Sequence, residues 1–167
     1  DRVHARHMSD ALRSPAVALP ACGAAVAMLV HAARRAGREA THERRVPLMG
    51  IMAAFVFAAQ MVNFAIPGTG SSGHLGGGLL LAILLGPQAA YLAMASVLTV
   101  QCLLFADGGL LALGCNTLNL ALWPCIVGLP LYRLLAGTSP APRRQLLAAV
   151  VSAIACVELG ALGVAVE

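Results

Sequence analysis

The chain of 167 residues is 59% hydrophobic and 11% charged, with a mean hydropathy of +0.83 and a net charge of +4. A soluble domain carries roughly 25% charged residues, so this chain lacks the polar surface to cover itself, and a water-soluble globular fold is excluded. All eleven basic residues are arginines flanking apolar runs, which reads as membrane topology rather than as a nucleic-acid surface.

The first fourteen residues are charged and polar, without the apolar core of a cleavable signal peptide, and form a separate N-terminal segment. The remainder, 15–167, reads as one all-α domain, a polytopic membrane helical bundle with about six transmembrane segments. Spans of about 17–25 apolar residues cross a bilayer, and such runs recur along the chain. The first helix is expected from Pro15 to Ala33 and the second from Val46 to Ile66. A short glycine-rich third covers Leu75 to Leu85. A fourth begins with Pro87 at its first position and runs to Ala106, with Gly86-Pro87 as a tight break. The fifth runs from Asn116 to Leu135 with kinks expected at Pro124 and Pro130, and the sixth from Arg144 to Val166.

Arginine placement sets the orientation. The stretch HAARRAGREATHERR holds Arg34, Arg35, Arg38, Arg44 and Arg45, and YRLLAGTSPAPRR holds Arg133, Arg143 and Arg144. If all six segments span, both stretches share one side, which is then cytoplasmic. The amino terminus and the loops bearing His74 and Asp107 fall on the outer face. Arg2, Arg6 and Arg13 weaken this bias without reversing it.

The loop PGTGSSGHLGGG, residues 67–78, places one histidine among glycines and small hydroxyls. A loop imidazole that hydrogen-bonds a carbonyl fits that composition as well as a metal ligand does. The glycines tilt the balance toward a ligand, because they let backbone approach another segment closely. His7 lies on the same side, and neutral imidazole ligates nickel, cobalt, copper and zinc. Asn63, Gln101, Asp107, Asn116 and Asn119 are the other polar residues near the outer mouth. Such groups are costly in apolar spans unless paired, so helix-to-helix hydrogen bonding and capping are favoured over direct metal contact. Glu158 lies inside the sixth span, either functional or paired. The five cysteines have no CxxC spacing and read as small buried hydrophobes.

Enzymatic readings fare poorly. Ser71-Ser72-Gly73-His74 places a hydroxyl and an imidazole side by side, but a nucleophile and its base must converge with a third group orienting the base. No GxSxG elbow and no Walker A sequence occur. The chain is therefore expected to be non-catalytic and unable to power transport alone.

The stretch from Val46 to Cys125, with its motifs GTGSSGHLGGG, LLGP and LLFADGGLLALGCN, resembles the CbiM/NikM family. These are substrate-binding components of energy-coupling-factor transporters for cobalt and nickel. The resemblance covers the chain from His7 onward, and RHMSDALRSP resembles the family's amino terminus. It implies capture of Co2+ or Ni2+ at the outer face of the cell membrane, with no resident cofactor. It also implies a transmembrane coupling subunit, two cytoplasmic ATPase subunits, often a small accessory membrane subunit, and a role in cobalt supply for cobalamin synthesis. A nickel-specific member and a degenerate member that no longer binds metal are the alternatives. The implied site is a planar nitrogen set: the imidazole and backbone amide of His7, the imidazole of His74, and a terminal amine from residue 6. Such fused chelate rings suit Ni2+ better than tetrahedral Zn2+. Arg6 stands where the family has methionine, and the family form has one more helix after the sixth span. If residues 1–5 persist, Arg6 offers an amide in place of the amine and the site is compromised. Both ends are thus expected to be irregular, as in a fragment or a chain with a faulty gene boundary, with truncation expected at the C-terminus.

Overall fold

The computed structural model describes residues 15–39, 45–62, 64–65, 72–73, 75–105, 109–110, 112–138 and 141–166. Six helices follow the expected order: α1 (Pro15–Glu39), α2 (Arg45–Met61), α3 (Gly78–Leu85), α4 (Pro87–Phe105), α5 (Leu113–Ala136) and α6 (Pro142–Val166). Between α2 and α3, β1 (Phe64–Ala65) and β2 (Ser72–Gly73) pair antiparallel, Phe64 opposite Gly73 and Ala65 opposite Ser72. The fold is otherwise all-α.

α1, α4, α5 and α6 are long and apolar enough to cross a membrane. Their outward faces carry exposed leucines, valines and isoleucines, among them Leu19, Leu103, Leu134 and Leu147, as a lipid-facing surface requires. The core lies around α4, which packs on α1, α2, α3 and α5. Met94 and Leu98 of α4, Leu81 of α3 and Val56 of α2 are fully buried there.

Several helix bounds differ from the expected ones, each for a physical reason. α1 runs on to Glu39, because arginine and alanine are strong helix formers and keep the helix going past its apolar part. α2 stops at Met61 rather than Ile66. The chain then turns extended, and Phe64–Ala65 satisfies its backbone on the β ladder. α3 starts only at Gly78, after Gly77 in the left-handed region at φ +76°. With eight residues α3 is about 12 Å long, well short of a bilayer's hydrocarbon thickness of about 30 Å. It folds back along α4 across the single residue Gly86 (φ +82°).

α5 absorbs its prolines without breaking. Residues Leu118–Leu122 and Pro124–Gly128 form π-helical turns, and the Leu129 N–H donates to the Pro124 carbonyl, five residues back. Proline lacks the N–H that would bond the carbonyl four residues earlier, and widened turns reassign those bonds. At the C-terminal end of α5 the Gly137 N–H donates to the Arg133 carbonyl at 3.0 Å. Arg144 Nε of the next helix donates to the Leu135 carbonyl at 2.7 Å. Arg144 therefore caps α5 as well as marking an arginine-rich end.

Candidate functional site

Arg6, His7, Asn63, His74 and Asp107 lie outside the described residues. The chain on either side of His74 is described, and it converges on the C-terminal end of α2. On one side Gly73 pairs with Phe64, three residues beyond the end of α2. On the other side Gln60 Nε2, in the last turn of α2, donates to the Gly76 carbonyl at 2.7 Å. Gln101 Nε2 of α4 donates in turn to Gln60 Oε1 at 2.8 Å. Both glutamines are fully buried. The Phe57 and Phe105 rings, one turn away on each helix, meet at 5.2 Å and 58°, a tilted pairing that fastens the same two helix ends.

Of the glycines after His74, Gly77 and Gly78 permit close packing, whereas a Cβ on Gly76 would meet open space. A Cβ on Gly77 would overlap Val56 Cγ1 of α2. A Cβ on Gly78 would stand 2.5 Å from the Leu120 carbonyl oxygen and 2.8 Å from Pro124 Cγ of α5. That carbonyl is the one deprived of its usual partner by Pro124, so α3 approaches α5 where a side chain cannot fit. Leu75–Gly77 is thus irregular backbone that enters the bundle at Gly77–Gly78, packed on α2 by Gly77 and on α5 by Gly78. At membrane depth such backbone is tolerated only when protein groups satisfy it, and Gln60 does so for Gly76.

Of the sequence-derived polar candidates, Gln101 joins this array. Asn119 is buried on α5 against α6, where Gly160 and Gly163 leave room for it. Asn116 is buried in the first turn of α5, its N–H bonded to the Ala112 carbonyl at 2.8 Å. Glu158 is exposed on α6 with Ile154 and Leu162 one turn to either side, also exposed, so it stands apart from the polar layer. Cys102, Cys115, Cys125 and Cys156 are buried, Cys22 is half-buried, and none is in a disulfide. No group of three or more histidine, cysteine or acidic side chains forms a metal site among the described residues. A groove of about 490 Å³ between α3, α5 and α6, lined by Leu75, Gly78, Pro124, Ala153 and Gly160, is apolar. Gln60 escaped the sequence reading, although a glutamine within the apolar run VFAAQMV carries the same signal as Gln101.

A multi-pass helical bundle with a glycine-rich loop seated among its helices defines a membrane protein built around an internal polar layer. Residues 7–167 match the family described as cobalt uptake substrate-specific transmembrane region, and the chain belongs to that family. It is 34% identical over 162 residues to the fused nickel transport protein NikMN of Rhodobacter capsulatus, covering 96% of this chain and 46% of that one. It is 38% identical over 92 residues to the cobalt transport protein CbiM of Lachnoclostridium phytofermentans, covering 54% and 36%. The chain spans less than two thirds of each of these relatives. A crystal structure of a transition metal transporter superposes with a TM-score of 0.81 at 34% identity, covering 94% of this chain and 67% of that one. A truncated form superposes with a TM-score of 0.80.

Proposed function

We propose that this chain captures Co2+ or Ni2+ at the outer membrane face as the substrate-specific subunit of an energy-coupling-factor transporter. Family membership supports the cargo class. The observation that carries the site assignment is the pinning of both flanks of His74 to the end of α2, by the Phe64–Gly73 pair and the Gln60–Gly76 bond. A solvent-exposed linker would need neither. On this reading His74 supplies one imidazole, while His7 supplies a second with its backbone amide nitrogen. The terminal amine of residue 6 completes the planar set. Four nitrogens in a plane favour Ni2+ and tolerate Co2+. Asn116 and Asn119 stiffen the surrounding helices rather than touch the ion, and Asn63 and Asp107 are further polar candidates at the outer mouth.

The chain has no nucleotide-binding sequence, so the energy for transport comes from partners. These are a transmembrane coupling subunit and two cytoplasmic ATPase subunits, with a small accessory membrane subunit. The cobalt delivered would feed cobalamin synthesis.

The test is a Ni2+ titration of the purified chain in detergent, read by visible absorption, beside His74→Ala and a form whose first residue is Arg6. A saturable yellow band lost in His74→Ala supports the planar site. A band that appears only when residues 1–5 are removed assigns the amine to residue 6. Unchanged affinity in His74→Ala removes that histidine from the site. No band in either form of the wild-type sequence leaves a family fold without metal capture, the degenerate alternative.

A further inference from the structure

We infer that Gln60, backed by Gln101, is the positioning residue of the metal site, setting the depth and angle at which the His74 loop enters the bundle. The inference rests on the proposed function and adds to it residues outside the nitrogen set. Three observations carry it.

The first is the direction of the hydrogen bonds. Gln101 Nε2 donates to Gln60 Oε1, and Gln60 Nε2 donates to the Gly76 carbonyl. The array is therefore a relay from α4 through α2 to the loop, and its last acceptor is backbone two residues after His74. The second is placement. Gln101 lies fourteen residues beyond Pro87, about 21 Å up α4. Gly78, at the far end of α3 from Gly86, is about 12 Å up. Gly76 lies between these levels, half-buried, with its carbonyl taken up by Gln60. The third is what the array leaves unfilled. Gln101 is fully buried, yet its Oε1 has no hydrogen-bond partner among the described residues. Burying an unpaired amide oxygen is costly, and apolar side chains would pack the helix ends without that cost. Hydrogen bonds between membrane helices stabilise a bundle only slightly, so stability is a poor reason to keep two buried amides here. Orientation of a ligand-bearing loop is a sufficient one, since groups that orient metal ligands affect affinity out of proportion to their contribution to folding.

Gly76 and Gly77 have no side chains to seat the loop. Its angle is set by Gly77 packed on Val56, by Gly78 packed on α5, and by the polar tether from Gln60. Without the tether the loop keeps its packing but loses the bond that fixes the Gly76–Gly77 peptide plane, two residues after His74.

The experiment uses Gln60→Met, Gln101→Met and the double variant in the full chain. Each is titrated with Ni2+ by visible absorption, then loaded with Cu2+ for electron paramagnetic resonance, and unfolded without metal. Methionine matches glutamine in length and removes both amide functions. Gln60→Met is expected to weaken Ni2+ binding about 10–100-fold and to change the Cu2+ spectrum toward a less planar or less nitrogen-rich site. Its metal-free unfolding midpoint should fall, because the Gly76 carbonyl and the Gln101 amide lose their partner, and the double variant should recover part of that fall without recovering affinity. Gln101→Met should lose less, and the double variant no more than Gln60→Met alone, because Gln101 acts through Gln60. Unchanged affinity and spectrum in Gln60→Met overturn the inference while leaving the proposed function standing. Affinity that recovers together with stability in the double variant overturns it too, reducing Gln60 to a packing role. Additive losses in the double variant overturn the relay. A wild-type chain that takes no Ni2+ overturns the proposed function, and this inference with it.

Discussion

Gly77→Ala probes the seat of the loop most directly. Gly77 sits at φ +76°, and a Cβ there would overlap Val56 Cγ1 and stand 3.2 Å from Cγ2. The left-handed conformation costs an L residue about 1–2 kcal/mol. Forcing a methyl against a fully buried valine costs a further ~1–3 kcal/mol. Reduced freedom of the unfolded chain returns about 0.4–1 kcal/mol. The net expectation is a loss of about 1–5 kcal/mol, centred on ~3 kcal/mol. The two costs separate in a double-mutant cycle with Val56→Ala. In that background the overlap disappears and Gly77→Ala should cost only about 1 kcal/mol, the strain alone. The assay is unfolding in mixed detergent and dodecyl sulfate micelles, followed by helical circular dichroism, for all four members of the cycle. An equal cost in both backgrounds would refute the Val56 contact. A cost below about 0.5 kcal/mol in both would refute the loop conformation itself, because that is the scale of an indifferent surface substitution.

Two further outcomes follow from contacts elsewhere in the bundle. Gly163→Ala should destabilise the α5–α6 pair by about 1–3 kcal/mol, since the new methyl would overlap Asn119 Oδ1. Gly160→Ala, one turn away and 3.4 Å from the Asn119 carbonyl oxygen, should be neutral or gain up to about 1 kcal/mol of helix propensity. The sign difference, read by the same unfolding assay, is the check. Arg144→Met removes the bond to the Leu135 carbonyl and should cost about 1 kcal/mol, with faster amide exchange at Gly137. Arg143→Met, at an exposed neighbouring position, should stay within about 0.5 kcal/mol.

Much of the architecture was legible in the sequence because apolar runs of membrane length announce helices directly. Pro87 begins α4 as expected, whereas α6 begins at Pro142 and not at the expected Arg144, since a residue without an N–H can open a helix at no cost. What could not be read was where helices give way to irregular backbone. LGGGLLLAILL looks like a continuing apolar run, and only the seating of Gly77 and Gly78 against Val56 and Leu120 shows why α3 waits until Gly78. The β pair spans two residues per strand, too short for any alternation to register. The bond from Gln60 to Gly76, and that from Gln101 to Gln60 across 41 positions, have no local signature. Gln101 drew notice as a polar residue in an apolar span. Gln60 deserved it equally, and its neighbours in the run gave no hint of the carbonyl it serves.

The shortness of α3 constrains how the protein is made. Eight apolar residues are too few to partition into a bilayer as an independent span, so α3 must enter the membrane together with α4. The Gly86–Pro87 turn then has to form while both are still in contact with the insertion machinery. Synthesis order gives this a direction: α2 with Gln60 is already in place when α3 emerges, whereas Gln101 arrives only with the second half of α4. The loop carrying His74 thus meets its anchor, Gln60, early, and the Gln101 amide that backs this anchor arrives late. Biogenesis itself closes the polar layer from one helix to the next.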